Sequence, residues 1–356
     1  MLGLRGTGKT VLLNFIARKA REAGAMTVMI EAPETGELPQ QLVPRLVKVL
    51  RKLSVSEQAK ALAYQAMRIL RSFAGAFRVE VAEIGISVDP ERGAADTGLL
   101  DMDLPDLFEA MGEAAKAAGT GLVILIDEVQ YLNKSELSAL ITALHRANQD
   151  GLPILFFGAG LPQVAALAGD AKSYAERLFR YEIIDALAEA DAAAAIRGPI
   201  TKEEESIDED AVAQIVSDTQ GYPYFLQEWG FQVWNRAEAS PIALGVVAEA
   251  AEAALGRLDQ GFFKVRMDRL TPKEREYVFA MADLPGGGPY RSGDVAEKLG
   301  EPANRMGPRR GGIIRKGMIY SPAHGDIAFT VPGFKDYLHR LRQTDSQPPR
   351  LTLPKR

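Results

Sequence analysis

The sequence predicts an α/β fold built on a parallel sheet, followed by an all-helical segment and a small mixed helix–strand module. Three observations predict it. A glycine-rich loop opens the chain and runs directly into Val11-Leu12-Leu13-Asn14-Phe15-Ile16-Ala17, whose apolar spacing is helical. A purely aliphatic run at residues 122–126 ends in Asp127-Glu128. Around these two landmarks helical periodicity alternates with short apolar runs, the pattern of strands covered by helices on both faces.

The elements follow in order. Gly24 stops the first helix, and residues 26–30 read as a short buried strand. Residues 37–78 are mostly helical in pattern, and residues 77–88 alternate enough for one or two strands. Helix is expected at residues 104–118, strand at 122–126, helix at 135–148 and strand at 153–157. Residues 196–255 carry helical spacing only, and Gly198-Pro199 marks a boundary. From residue 256 the order changes to helix, Pro-Gly-rich loop, short helix, basic helix, then strand–turn–strand at residues 317–331.

Composition excludes several chemistries. The 356 residues contain no cysteine, so disulfides, thiolate metal sites and cysteine nucleophiles are out. The three histidines, His145, His324 and His339, are too scattered for a histidine metal site. The net charge of −5 rules out a globally basic nucleic-acid binder, although residues 305–316 form a local basic stretch. No apolar run reaches the ~18 residues of a membrane span, and no signal-peptide pattern is present, so a cytoplasmic location is expected.

Gly3-Leu4-Arg5-Gly6-Thr7-Gly8-Lys9-Thr10 matches G-x-x-x-x-G-K-[ST], the pattern of a phosphate-binding loop. Glycines let backbone N–H groups turn inward around phosphate oxygens, and the helix that follows presents its positive end to the anion. The expected nucleotide contacts are Gly3, Arg5, Gly6, Thr7, Gly8, Lys9, Thr10 and Val11. Lys9 reaches the terminal phosphates and also acts in catalysis, while Thr10 ligates Mg²⁺. Only Met1 and Leu2 precede the loop, where a phosphate loop normally has a strand in mid-sheet. Either the true start lies upstream, or the sheet lacks its first strand. The aliphatic run ending in Asp127-Glu128 is the acidic partner of such a loop. Asp127 would hold Mg²⁺, and Glu128 would polarise the attacking water as general base.

With those motifs placed, the sequence resembles the prokaryotic and archaeal ATPases of the AAA+/STAND group over nearly its whole length. It is also similar to the ATPase part of archaeal origin-recognition initiators. The resemblance implies a P-loop NTPase parallel sheet, here with its first strand apparently missing, a helical lid and a C-terminal winged helix-turn-helix. The core would occupy residues 1–195, the lid 196–255 and the winged helix 256–342. The polar, proline-bearing tail at 343–356 is expected to be disordered.

ATP with Mg²⁺ would bind between core and lid and be hydrolysed slowly. Adenine is implied by the family, since no guanine-reading N-K-x-D follows the acidic strand end. Phe157-Gly158-Ala159-Gly160-Leu161-Pro162 resembles the strand end that carries a polar sensor in this group, and here the nearest polar side chain is Gln163. The segment 173–180 resembles the arginine-finger segment, with Arg177 first choice and Arg180 second; the alternative is a surface arginine in a salt bridge. Gly221-Tyr222-Pro223 resembles the Gly-x-Pro of such lids, where the proline, here Pro223, lies near adenine; the alternative is a simple helix-start turn.

In the C-terminal module, Thr271 and Pro272 suit the start of a helix. Residues 307–317 would be the recognition helix, with His324-Gly325 at the wing tip. Arg305, Arg309 and Arg310 cluster where helix-turn-helix proteins meet DNA, the alternative being a solvated face or a protein contact. Gly311-Gly312 points to close packing against another element. The implied function is a nucleotide-driven switch whose winged helix reports ATP or ADP to double-stranded DNA or a protein partner, with a homo-oligomer as one arrangement and no membrane involved. The alternatives are a non-catalytic nucleotide-bound scaffold and a DNA-loading or transposition helper ATPase.

Overall fold

In the computed structural model, which describes residues 1–33, 36–53, 57–80 and 88–345, the aliphatic run ahead of Glu128 is the middle strand of a parallel three-stranded sheet. The elements run α1 (Lys9–Glu22), β1 (Met26–Glu31), α2 (Leu38–Lys52), α3 (Glu57–Ala76), α4 (Leu100–Ala117), β2 (Leu122–Asp127), α5 (Lys134–Gln149), β3 (Ile154–Gly158), α6 (Val164–Ala171) and α7 (Ala175–Leu178). The strand order is β1-β2-β3, with Glu31 opposite Asp127 and Ile126 opposite Gly158. Every residue of β2 is buried, as its unbroken aliphatic sequence requires. Leu42, Leu46, Phe73, Leu107, Phe108 and Leu140, from α2 to α5, belong to the same core cluster as Ile124 and Ile126. A capping box fixes the start of α5, where Asn133 and Glu136 each accept the other's backbone N–H at 3.0 Å. The strands expected at residues 77–88 fall largely on 81–87, outside the described residues.

Ahead of the loop, Leu2 runs alongside the segments that follow β3. Leu2 forms parallel bridges to both Gly160 and Ile183. Its N–H donates to Glu182 O and its carbonyl accepts from Ile184 N, both at 2.7 Å. Leu155 is 60% exposed, and no residue of β3 is fully buried, in contrast to β2.

By its contacts the chain divides into two units. The first comprises Met1–Gly3 and Gly8–Ile184; the second comprises Leu4–Thr7 and Asp185–Arg356. The second unit begins with four helices, α8 (Glu189–Lys202), α9 (Glu209–Thr219), α10 (Pro223–Trp234) and α11 (Leu244–Arg257). The expected break at Gly198-Pro199 is absent, because α8 runs through it with Pro199 inside the helix. Pro199 and Ala195 are both exposed, so the carbonyl deprived of its partner by the proline meets water.

A π-helical stretch, Leu258–Phe263, leads into α12 (Lys264–Asp268). Then follow α13 (Pro272–Ala282), β4 (Tyr290–Arg291), α14 (Ser292–Leu299), α15 (Met306–Arg315), β5 (Ile319–Tyr320), β6 (Asp326–Phe329) and α16 (Phe334–Asp345). The strands form an antiparallel sheet in the order β4-β6-β5. One hydrophobic cluster, containing Phe225, Trp229, Phe263, Tyr277 and Phe334, serves the unit from α8 to α16. The tail at 346–356, expected to be disordered, lies outside the described residues.

Glu274 knits the start of α13. Its carboxylate accepts from Thr271 N at 2.7 Å and from Lys316 Nζ at 2.5 Å. A Cβ on Gly312 would come within 2.6 Å of it, which accounts for the glycine. Burial alone would push the Glu274 carboxyl up, but hydrogen bonds from Lys316 and Thr271 outweigh it and hold the carboxyl below its ordinary 4.5. A group depressed on folding adds stability that is present above its unfolded pKa and is lost as pH falls through the folded one. Glu274→Gln is therefore expected to destabilise by about 2 kcal/mol near neutral pH. The difference should shrink as pH falls below the ordinary 4.5 and through the lower folded value, so the two curves of melting temperature against pH converge on the acid side. Curves that stay parallel would contradict this.

Candidate functional site

The loop Gly3–Thr10 has the backbone its glycines make available. Gly6 and Gly8 adopt φ of 91° and 89°, the left-handed region in which a side chain is strained. Thr7 Oγ1 donates to Leu4 O at 3.0 Å. Gly8 is the N-cap of α1, whose first turn carries no acidic residue to compete with an anion. Lys9 is buried and donates to Gly3 O at 3.0 Å, so its ammonium is folded back onto the loop. Val11, in the first turn, is 67% exposed and open to a ligand.

Thr10 Oγ1 donates to Asp127 Oδ2 at 2.5 Å, joining the loop's end to the end of β2. Asp127 is buried, and its other oxygen accepts the Glu128 N–H at 2.9 Å. Glu128 has φ 53° and ψ 40°, a left-handed turn that swings its side chain out of the strand direction. Such a backbone is uncommon outside glycine and is found at functional positions.

Gln130 was not picked out from sequence. Its Nε2 donates to Glu128 Oε2, and its Oε1 accepts the Leu161 N–H at 3.0 Å. It thus ties the acidic strand end to the segment after β3. Gly160 must lack a side chain for this, since a Cβ would lie 2.6 Å from Gln130 Oε1. Gln163, the nearest polar residue to the expected sensor, stands at the N-cap position of α6 without capping it. The local signal for Gln130 was only its place two residues after Glu128.

Residues 4–7 of the loop make their contacts within the second unit. The Arg5 N–H donates to Thr330 O at 3.2 Å, and Tyr224 N–H to Gly6 O at 3.2 Å. The Tyr222 hydroxyl donates to the Arg5 carbonyl, and burial pushes that phenol well above its ordinary value. A Cβ on Gly6 would meet Tyr222 and Tyr224 at 3.1 Å, and one on Gly317 would collide with the Arg5 guanidinium. Pro223 is the first residue of α10 and lines a cavity of about 670 Å³ with Leu187, Ile196, Leu226 and Trp234.

The arginines sort differently. Arg177 on α7 is exposed, whereas the exposed Arg180 forms an ion pair with Glu182. Arg309 is paired to Glu301 through both terminal nitrogens at 3.1 Å, with only 16% of its side chain exposed. Arg310 donates to Ser292 Oγ at 3.0 Å. Arg305, just ahead of α15, is exposed.

Residues 2–157 match the family model described as AAA ATPase domain. Residues 260–338 match one described as a domain of unknown function, DUF8462. None of the curated proteins matches the sequence. Among solved structures, the Walker-type ATPase PABY2304 of Pyrococcus abyssi is 15% identical with a TM-score of 0.55, over 95% of this chain and 89% of that one. Cdc6p from Pyrobaculum aerophilum is 16% identical with a TM-score of 0.45, over 97% and 87%. The RuvB Holliday junction branch migration motor of Thermotoga maritima is 16% identical with a TM-score of 0.35, over 97% and 96%. At these identities the first of them supports the fold alone.

Proposed function

We propose, from the match of residues 2–157 to the family model described as AAA ATPase domain, that the chain binds ATP with Mg²⁺ and hydrolyses it slowly, as a nucleotide-driven switch. The observation that carries this reading is the hydrogen bond of Thr10 to Asp127, with Lys9 on one side of it in sequence and Glu128 on the other. The two oxygen side chains suit Mg²⁺, which takes one or two protein oxygens and completes its shell with phosphate and water. Mg²⁺ bound there supplies positive charge against the phosphate oxygens. Lys9, released from Gly3 O, pairs with the terminal phosphates. Glu128, oriented by Gln130, takes the proton of the attacking water. Arg177, exposed on α7, is the candidate arginine finger for a neighbouring copy.

In this reading α8 to α11 act as the lid that bears Pro223, and α13 to β6 as a winged helix. The order of α13, β4, α14, α15 and the β5–β6 hairpin supports that assignment. Its partner is DNA or a protein. The ties of Arg309 to Glu301 and of Arg310 to Ser292 favour the protein, leaving Arg305 as the open cation of the three.

The test is ATP turnover by the purified chain, with and without double-stranded DNA, beside Lys9→Ala. Lys9→Ala is expected to lower turnover by about 100-fold or more, because it removes a cation aimed at transferring phosphate. Turnover raised by DNA would assign DNA as partner, and turnover indifferent to DNA a protein. Wild-type chain that binds no ATP would sink the proposal.

A further inference from the structure

Helices α8 and α10 leave a groove between them in the second unit, lined by the buried Ile196, Ile200 and Leu226 and by two open aromatic rings. Phe231 is 50% exposed and Trp234 is 42% exposed. Single exposed apolar side chains are ordinary, but two large rings on one groove of about 670 Å³ form a patch that marks a binding surface. Pro223 stands at the other end of α10, about 16 Å of helix away from Trp234. The aromatic end is therefore separate from the position that the resemblance gives to adenine.

That end is also acidic. Glu203 lines the groove, and a second cavity of about 400 Å³, which shares Trp234, is lined by Glu205 and Glu238. All three are exposed, and none is held in an ion pair among the described residues. Among the described residues, no lysine or arginine lines either cavity. Arg257, close by, is engaged elsewhere: its guanidinium lies 4.8 Å from the Phe231 ring centre and 3.6 Å from Glu228. A ligand complementary to this surface combines apolar side chains with positive charge.

The chain itself contains such a segment. Residues 346–356 end in Pro348-Pro349-Arg350-Leu351-Thr352-Leu353-Pro354-Lys355-Arg356, with three positive charges, no acidic residue, two leucines and three prolines. They lie outside the described residues and follow α16 directly. Proline-rich segments have little conformational freedom to lose on docking, and aromatic-lined grooves take them up. Reach also fits. Arg340 on α16 donates to Asp259 at 2.6 and 2.9 Å, and Asp259 stands two residues after the Arg257 that covers Phe231. The route from Arg340 to Phe231 is at most roughly 25 Å, whereas residues 346–356 span about 36 Å when extended.

We propose that residues 346–356 dock on the α8–α10 groove of their own chain, with Leu351 and Leu353 on Phe231 and Trp234, and with Arg350, Lys355 and Arg356 facing Glu203, Glu205 and Glu238. A short tether gives an effective concentration on the order of 1 mM, so a groove affinity of about 0.1 mM fills it in roughly nine chains of ten. Groove and segment both belong to the second unit, so the inference does not depend on the ATP-binding reading.

The chain has two tryptophans, and Trp229 is only 3% exposed, so acrylamide quenching of fluorescence reads Trp234. The whole chain, free of nucleotide, is compared with its Leu351→Asp/Leu353→Asp and Glu203→Lys/Glu238→Lys variants. Glu203 and Glu238 are exposed, so the second pair leaves the core intact. Each pair is expected to raise quenching about twofold or more, because docking keeps solvent and quencher off the ring. Adding Arg350→Glu/Lys355→Glu to the Glu203→Lys/Glu238→Lys chain is expected to bring the protection back, which a merely structural disturbance would not do. Equal quenching in wild type and Leu351→Asp/Leu353→Asp overturns the proposal and leaves the groove to another protein. Protection that fades on dilution places the segment in the groove of a second copy and overturns docking within one chain. Failure of the charge-swapped chain to regain protection overturns the pairing of basic segment with acidic rim.

Discussion

Glu128→Gln will leave ATP bound and slow its hydrolysis by about 10²–10⁴-fold, the usual contribution of a positioned general base. The substitution preserves shape and the hydrogen bond from Gln130, because an amide oxygen can accept from Gln130 Nε2 as a carboxylate does. It removes only the capacity to take a proton from water. The neighbouring pair of Thr10 and Asp127 is untouched. The check is single-turnover hydrolysis beside equilibrium ATP binding. Hydrolysis retained at wild-type rate would show that Glu128 is not the base, and would favour a chain that holds nucleotide without turning it over. Loss of binding together with hydrolysis would mean that the Glu128 charge supports nucleotide binding itself and not only proton transfer from water.

The largest loss of stability is expected from Gly221→Ala. Gly221 has φ of +69°, and a Cβ there would fall on the backbone carbonyl of Leu187. The same two residues are joined by the Leu187 N–H donating to Gly221 O at 2.9 Å. A left-handed alanine costs about 1–2 kcal/mol. The collision adds to this, since backbone cannot swing aside as a side-chain end can. The sum is expected to be about 3 kcal/mol or more, a fall in melting temperature of about 6–12 °C for a unit of this size. Gly256→Ala is the control. Gly256 lies inside α11, is exposed and has open space at its Cβ, so alanine there should stabilise by about 0.5–1 kcal/mol. Thermal melts of the two variants decide the point. A Gly221→Ala chain that melts with wild type would show that the turn before α10 can rearrange.

What was legible in the sequence was local. The phosphate loop is a contiguous run whose glycines announce their backbone. β2 declares its burial by having no polar residue ahead of Asp127, and Thr271 and Pro272 mark the start of α13. Gly312, picked out as a sign of close packing, lies against Glu274. What was not legible depends on residues far apart in the chain. Gln130 has its role only because Leu161 and Glu128 come together around it. Arg309 looked open until Glu301 was found in its fork. Pro199 misled because the carbonyl it orphans, that of Ala195, lies on an exposed face where water replaces the lost donor, a question of which face is exposed. Leu2 completes its bridges with residues near 160 and 183, which no reading of the first ten residues could supply.

The assignment of Leu4–Thr7 has a consequence for dissection. The chain leaves the first unit after Gly3, returns to it at Gly8 and leaves again after Ile184, so three covalent links join the units. A single cut near residue 185 releases neither one whole. A fragment beginning there would carry Thr330, Tyr222 and Tyr224 with their partners at Arg5 and Gly6 left on the other piece. Four residues of one gene segment are, in effect, a built-in peptide ligand of the other, and an excised C-terminal half should be studied with a synthetic loop peptide at its side.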